Sequence, residues 1–334
     1  MATKTSLVTG ANGFLGSHVV RALLARGDRV RALARLNADI SALRGVECAI
    51  VRGDVRDIDS LRAAAKGCDE VYHVAADYRL WVVDHAPMYA INVDGTRNVI
   101  DAAREARVSR IVHTSTVGAL GIPHGAPGRE DTPVTVDAMV GPYKRSKFLA
   151  ERVAEDAARA GAPVVIVNPS TPIGPLDYKP TPTGRMIVDF LNRKMPAYLD
   201  TGLNLVGVED CAGGHLLAAE RGRVGEKYIL GGENLSLEEL FARLAKLTGL
   251  PAPKMRIPYA VAYGFALGAE AVARTITHKP PRASLTEVKM ARKKMFFDSS
   301  KAKAELGYAP GPINPALKRA IDFFRAQNGG RAAA

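Results

Sequence analysis

Tyr143-Lys144-Arg145-Ser146-Lys147 sets a phenol and an amine four residues apart, the spacing that puts two side chains on one helix face a turn apart. A phenol of ordinary pKa, about 10, is a poor base at neutral pH, and a neighbouring ammonium stabilises the phenolate and lowers that value. The pair therefore reads as a proton carrier, Tyr143 exchanging a proton with a substrate oxygen and Lys147 supplying the charge. Thr114-Ser115-Thr116 closes a β-branched run, and its last hydroxyl, on Thr116, is placed to hold the same oxygen. Ser115 is the fallback if the register slips. Y-x-x-x-K is short and matches often by chance, so its weight rests on the elements that carry it.

From the start to about residue 170, short apolar runs alternate with helix-length amphipathic ones, the pattern of a parallel sheet covered on both faces. Strands are expected at 6–9, 29–34, 47–52, 70–74, 110–114 and 164–168, with helices at 14–26, 58–66, 88–106 and 143–159. Gly27-Asp28 stops the first helix where a C′ glycine belongs. Pro169, Pro172, Pro175, Pro180 and Pro182 then crowd a segment that can be neither regular helix nor central strand. Alternation returns with a strand at 203–208, a helix at 211–220 and a strand at 227–230. The fold class expected is α/β, a Rossmann-type doubly wound parallel sheet with a smaller, interleaved C-terminal substrate lobe. The sheet domain takes 1–170 with 203–231 returning to it, and the lobe takes the rest of 171–334. Ser236 with Glu239 has the form of a capping box opening a helix.

Directly after the first strand stands Thr9-Gly10-Ala11-Asn12-Gly13-Phe14-Leu15-Gly16, a G-x-x-G-x-x-G run that opens a helix. Gly10 permits the tight turn, Gly13 lets a pyrophosphate approach the backbone, and Gly16 lets helix and sheet pack closely. The phosphates would face the helix N-terminus, where free N–H groups and the dipole favour anions. At strand one of an alternating sheet this is a strong sign of a dinucleotide site. An acidic residue about 20 positions on would take the ribose hydroxyls of NAD, but Ala34-Arg35 stand at the end of the second strand. A guanidinium there suits a 2′-phosphate, so NADP is favoured, with NAD the alternative. Asp54 and Val55, ending the third strand, would border the adenine. Ala75 and Ala76, ending the fourth, would lie beside the nicotinamide ribose, and Pro169 ends the sixth on the same edge. Preceding Ala75, His73 reads as structural.

These residues, with Asn92-Val93-Asp94-Gly95-Thr96 and the ending Phe297-Asp298-Ser299-Ser300-Lys301, match in order the pattern of the extended short-chain dehydrogenase/reductases, which the chain resembles over its whole length. More narrowly it is similar to the hopanoid-associated sugar epimerase subfamily through 75–81, 168–175, 179–185 and 291–297. That name implies epimerisation of a sugar carbon. Ala34-Arg35, Leu120-Gly121 and Asn168-Pro169, however, depart from nucleotide-sugar epimerases and resemble dihydroflavonol 4-reductase-like reductases.

Loops after the fourth and sixth strands nominate Tyr78, Arg79 and Trp81, with Thr171, Lys179, Thr183 and Arg185, as substrate contacts. Arg79, Lys179 and Arg185 could grip a phosphate or carboxylate; lobe packing and surface ion pairs are the plainer use for each. Trp81 fits a stacking platform or a core position equally. Three functions remain open: an NADP-linked oxidoreductase acting on a sugar or sugar-derived polyol that a hopanoid lipid could carry, an epimerase using the same groups, and a cofactor-sensing protein without chemistry.

Composition narrows the partners. With 47% hydrophobic residues the chain can bury a large core, and Cys48, Cys68 and Cys211 form no metal-ligand spacing, so the reading is cytoplasmic and metal-free. A net charge of +12 suits anionic substrates and leaves peripheral membrane contact open, whereas no recognised module supports nucleic-acid binding. The apolar stretch 259–269 is read as a buried or dimer-facing helix. The resemblance, with the apolar helices around Val93 and Phe148, implies a homodimer.

Overall fold

The computed structural model describes residues 3–281 and 283–332. The first half runs β1 (Thr5–Thr9), α1 (Phe14–Arg26), β2 (Arg29–Ala34), β3 (Ala49–Arg52), α2 (Ile58–Ala65) and β4 (Glu70–His73). A helix follows in three parts: α3 (Ala86–Tyr89), a π-helical turn (Ala90–Asp94) and α4 (Gly95–Glu105). Then come β5 (Arg110–Thr114), α5 (Gly141–Arg159) and β6 (Val164–Pro169). The second half holds β7 (Thr171–Ile173), α6 (Pro182–Leu191), β8 (Ala197–Tyr198), β9 (Gly202–Gly207), α7 (Val208–Arg221) and β10 (Lys227–Leu230). It ends with β11 (Glu233–Ser236), α8 (Leu237–Thr248), β12 (Met255–Arg256), α9 (Tyr259–Val272), α10 (Leu285–Met290), α11 (Ser300–Leu306) and α12 (Ile313–Ala332).

Seven strands form the main sheet in the order β10-β6-β5-β4-β1-β2-β3, every neighbouring pair parallel. The order reverses between β1 and β4, the switch point at which a crevice opens beyond the carboxyl ends of the strands. Strand residues alternate between two cores. Val8 and Val112 face α1 and α7, packing with Val19, Leu23 and Cys211, while Leu7 and Ile111 face α2, α4 and α5, packing with Leu61, Ile100 and Ala154. Both faces are covered, which is why Val164-Val165-Ile166-Val167 reads as an unbroken apolar run.

A third core gathers Ile173, Phe190, Leu205, Phe241, Leu317 and Phe324 between the small sheet β11-β9-β7 and helices α6, α8 and α12. Of the stretch 203–231 placed with the main sheet by sequence, α7 and β10 pack on it, whereas β9 pairs with β7 and β11. The Ser236–Glu239 capping box forms at α8, and Gly27 closes α1 in the left-handed conformation at φ 94°. Helix α5 begins at Gly141, ahead of the expected start, because Pro142 fits the first turn where no N–H partner is needed. The expected helix 259–269 forms but is not buried within the chain: Val261, Phe265 and Leu267 are exposed. Phe148 is buried inside the single chain with the Arg152 guanidinium 4.9 Å from its ring centre. Among the described residues no helix is long and apolar enough to cross a membrane.

Three histidines lie fully buried near the carboxyl edge of the sheet. Burial pushes His73 down to about 3, His215 down to about 4, and His113 well below the ordinary value. Each ring is neutral in the fold and takes up a proton in the unfolded chain below pH 6.5, so its stabilisation is present above that pH and is lost as pH falls. Between pH 6.5 and about 5 the loss is about 2 kcal/mol per ring. Urea unfolding at neutral pH and at about pH 5 should therefore show a clear drop in midpoint. An unchanged midpoint would mean that the rings are hydrated.

Candidate active site

At the switch point the glycine turn leaves no spare room. A Cβ on Gly16 would stand 2.1 Å from the Gly10 carbonyl oxygen, and one on Gly10, where φ is +65°, would stand 2.7 Å from the Ala75 backbone. Gly13 differs. It is exposed, a Cβ there would meet only the Gly10 oxygen at 3.2 Å, and it heads α1 with no side chain capping the helix and no acidic residue in the first turn. Open backbone N–H groups at a bare positive helix end are what a pyrophosphate requires, so the residues present fit a dinucleotide. Phe14 and Leu15 form that first turn, and the Asn12 amide donates to the Asp39 carbonyl at 2.9 Å, bracing the turn against the chain beyond β2.

A directed chain of hydrogen bonds fixes the neighbouring strand ends. Thr96 Oγ1 donates to the Asn92 carbonyl at 2.6 Å, which leaves its lone pairs for His73 Nε2–H at 3.0 Å. Thr9 Oγ1 then donates to His73 Nδ1 at 2.8 Å and accepts from the Ala75 N–H at 3.2 Å. Neutral His73 is thus a strut holding Ala75 and Ala76 beside the glycine turn, in keeping with its structural reading. Across the crevice, Arg35 is exposed just past β2, and its carbonyl accepts from Arg52 at 2.9 Å. Asp54 is chelated by Arg56 at 3.0 and 2.7 Å; those bonds, aided by Arg35, hold its carboxyl below the usual range. Val55 is buried against Gly95, its carbonyl taken by Asn98 at 3.0 Å.

The catalytic candidates meet where β5 ends and α5 begins. Lys147 is 2% exposed and its ammonium donates to the Thr114 carbonyl at 2.7 Å. Thr116 accepts from the Gly118 N–H at 3.1 Å, and its hydroxyl lies against the Tyr143 phenol. Burial pushes Tyr143 up to about 12, with Thr116 pulling the other way, and pushes Lys147 down to about 8, with Glu151 opposing. The expected lowering of the phenol by Lys147 is not what sets its value here: desolvation of the phenolate dominates, and the Lys147 ammonium is committed to the Thr114 carbonyl. Tyr143 stands protonated, as an acid. Ser115 is not a substitute for Thr116, because its hydroxyl donates to Glu151 at 2.5 Å.

Glu151, fully buried, escaped sequence reading. It also accepts from the Asn168 amide at 2.7 Å and from Lys227 at 3.4 Å. Its signal was its place one turn beyond Lys147 on the same helix face. Equally missed was the work of Asn92 on the π-helical turn. Its side chain exchanges hydrogen bonds with the Asp77 backbone at 2.7 and 2.9 Å and donates to Ser146 at 2.9 Å, and Ser146 donates to the Tyr143 carbonyl at 2.9 Å. The loop after β4 is thereby fastened to the catalytic helix.

The substrate candidates divide. Arg79 is exposed and is oriented by Asp77, which holds its guanidinium in a two-pronged pair at 2.9 and 2.5 Å. Tyr78 is 42% exposed and donates to the Lys179 carbonyl at 3.4 Å, so the loops after β4 and β6 do meet. Arg185 is exposed and close enough to lower Tyr78 against the dominant effect of burial. Thr183 is buried in the first turn of α6, and Thr171 is taken up in β7 opposite Leu205. Lys179 meets Tyr78 through its carbonyl, and its charge helps to hold the Asp39 carboxyl below its usual range. Trp81 is half-buried with a buried, unpartnered indole nitrogen. Pro169 closes β6 against Leu230.

The model of the NAD dependent epimerase/dehydratase family matches residues 6–231. The chain is 45% identical to a putative dihydroflavonol 4-reductase of Synechocystis sp. (strain ATCC 27184 / PCC 6803 / Kazusa), covering 95% of this chain and 94% of that one. It is 37% identical to sterol demethylase protein B of Methylococcus capsulatus (strain ATCC 33009 / NCIMB 11132 / Bath), covering 96% and 98%. The crystal structure of gox2253 superposes with a TM-score of 0.87 at 47% identity, covering 97% of this chain and 99% of that one.

Ultraviolet difference titration of the wild type against Tyr143→Phe should show no phenolate step below about pH 9. A step near neutrality would restore the activated-phenol expectation.

Proposed function

Because this chain belongs to the NAD dependent epimerase/dehydratase family, and is an enzyme of the extended short-chain dehydrogenase/reductase kind similar to dihydroflavonol 4-reductase-like reductases, we propose that it is an NADP(H)-dependent reductase of a carbonyl on a lipid-borne, sugar- or polyol-derived substrate. The observation that carries the reading is the meeting of Thr116, protonated Tyr143 and Lys147 at the carboxyl end of β5, opposite the bare N-terminus of α1. A bound nicotinamide supplies the hydride. Thr116 orients the carbonyl oxygen, Tyr143 delivers its phenolic proton to that oxygen as the carbon is reduced, and Lys147 stabilises the phenolate left behind. A phenol of pKa about 12 suits this direction, since it needs no prior deprotonation.

The preference for NADP rests on Ala34-Arg35 in place of an acidic residue and on Arg52 and Arg56 at the same edge, a basic rim for a 2′-phosphate. A lipid-borne substrate is supported by the relative named for a sterol and by the resemblance to the hopanoid-associated subfamily. Epimerisation is the second reading, favoured by the family match itself, and uses the same three groups to oxidise a carbon and re-reduce it from the other face. Net cofactor turnover belongs to the first reading, isomerisation without turnover to the second.

Calorimetric titration of cofactor-stripped protein should give tighter binding of NADP than of NAD, with the difference lost in Arg35→Ala; equal binding, or NAD that copurifies, moves the assignment to the epimerase. Tyr143→Phe should abolish turnover and leave NADPH binding within about twofold of wild type. Full activity in that variant would sink the proton-transfer role.

A further inference from the structure

We propose that the outer face of α9 is a docking surface for an anionic lipid bilayer. Val261, Phe265, Val272 and Ile276 recur at steps of four and seven along α9 and its continuation and are 61%, 59%, 47% and 72% exposed. They form one apolar stripe. Gly268 lies in that stripe with open space around it, and Leu267, 53% exposed, widens it. The one charged residue of α9, Glu270, points inward, where it accepts from the Leu285 N–H at 3.0 Å and pairs with Arg274. An apolar face of this extent on a single chain needs a cover.

Charge selects the cover. Residues 254–294 carry nine lysines and arginines against two glutamates, more than half of the net +12 of the chain. Lys254 and Arg256 precede the helix, Arg274 lies beside the last turn of the stripe and Lys279 follows it, all exposed. Apolar side chains flanked by cations are what a bilayer bearing anionic headgroups accepts, the apolar groups entering the acyl boundary and the cations staying with the phosphates. A second copy of the chain is disfavoured, because a two-fold contact through this face would set the basic segment against itself.

The face is also close to the chemistry. Through Leu285 it is joined to α10, and Thr286 of α10 packs so tightly on Gly141 that a Cβ there would stand 2.5 Å from its methyl group. Gly141 is two residues before Tyr143, at the head of α5. A chain seated on a bilayer by α9 holds the catalytic helix end near the membrane surface, where a lipid-borne substrate presents its polar end. The proposal deepens the reading of a lipid-borne substrate and rests on it for its purpose. Vesicle binding, measured without substrate or turnover, can fail independently of that reading.

The test is sedimentation of the full chain with vesicles of mixed phosphatidylglycerol and phosphatidylcholine, and with phosphatidylcholine alone. Wild type should sediment with the mixed vesicles only, and Phe265→Asp and Ile276→Asp should bind on the order of tenfold more weakly. NADPH binding in these exposed-site variants should stay unchanged, showing that the fold is intact. Absence of binding to the mixed vesicles, or equal binding to both kinds, overturns the proposal. So does a concentration-dependent dimer in light scattering that Phe265→Asp converts to monomer, since a second copy would then be the cover.

Discussion

The cost of burying the Lys147 amine governs the arrangement around it. An ammonium that is 2% exposed loses its water, and the protein must return polar partners or see the charge vanish near neutrality. The Thr114 carbonyl at the end of β5 is the direct partner, and buried Glu151, one turn further along α5, supplies the opposing charge. Glu151 in turn needs Ser115, Asn168 and Lys227 to satisfy its oxygens, so β5, β6 and β10 are bound into one polar knot beneath the catalytic residues. The same dryness keeps the Tyr143 phenol protonated. A site built this way has its acid loaded before substrate arrives.

The fold was legible in the sequence wherever one residue type answers to one local demand. Gly27, with its left-handed φ, stops α1; the capping box starts α8; the run at 164–167 is apolar on both faces because helices cover both. The crevice was legible too, since the position of the glycines after the first strand says where an anion can approach. Less legible was anything set by desolvation. The sign of the Tyr143 shift depends on how much water reaches the phenol, and no spacing rule reports that.

Pairings set by how a loop folds were also hidden. The pairing of Arg79 with Asp77 shows only when the loop is folded back against Asn92. The strand 203–207 alternates correctly for a sheet, yet pattern alone could not say which sheet it joins. Periodicity gives the face of an element, and tertiary contacts choose its partner.

The tightness of the glycine turn bears on the timing of ligand capture. With Gly16 against the Gly10 carbonyl, Gly10 against Ala75, and Asn12 tied to Asp39, the loop has almost no alternative conformations to give up when a dinucleotide arrives. Little ordering entropy is lost on binding, and no slow loop rearrangement need precede contact. Cofactor capture can then proceed at the pace of encounter.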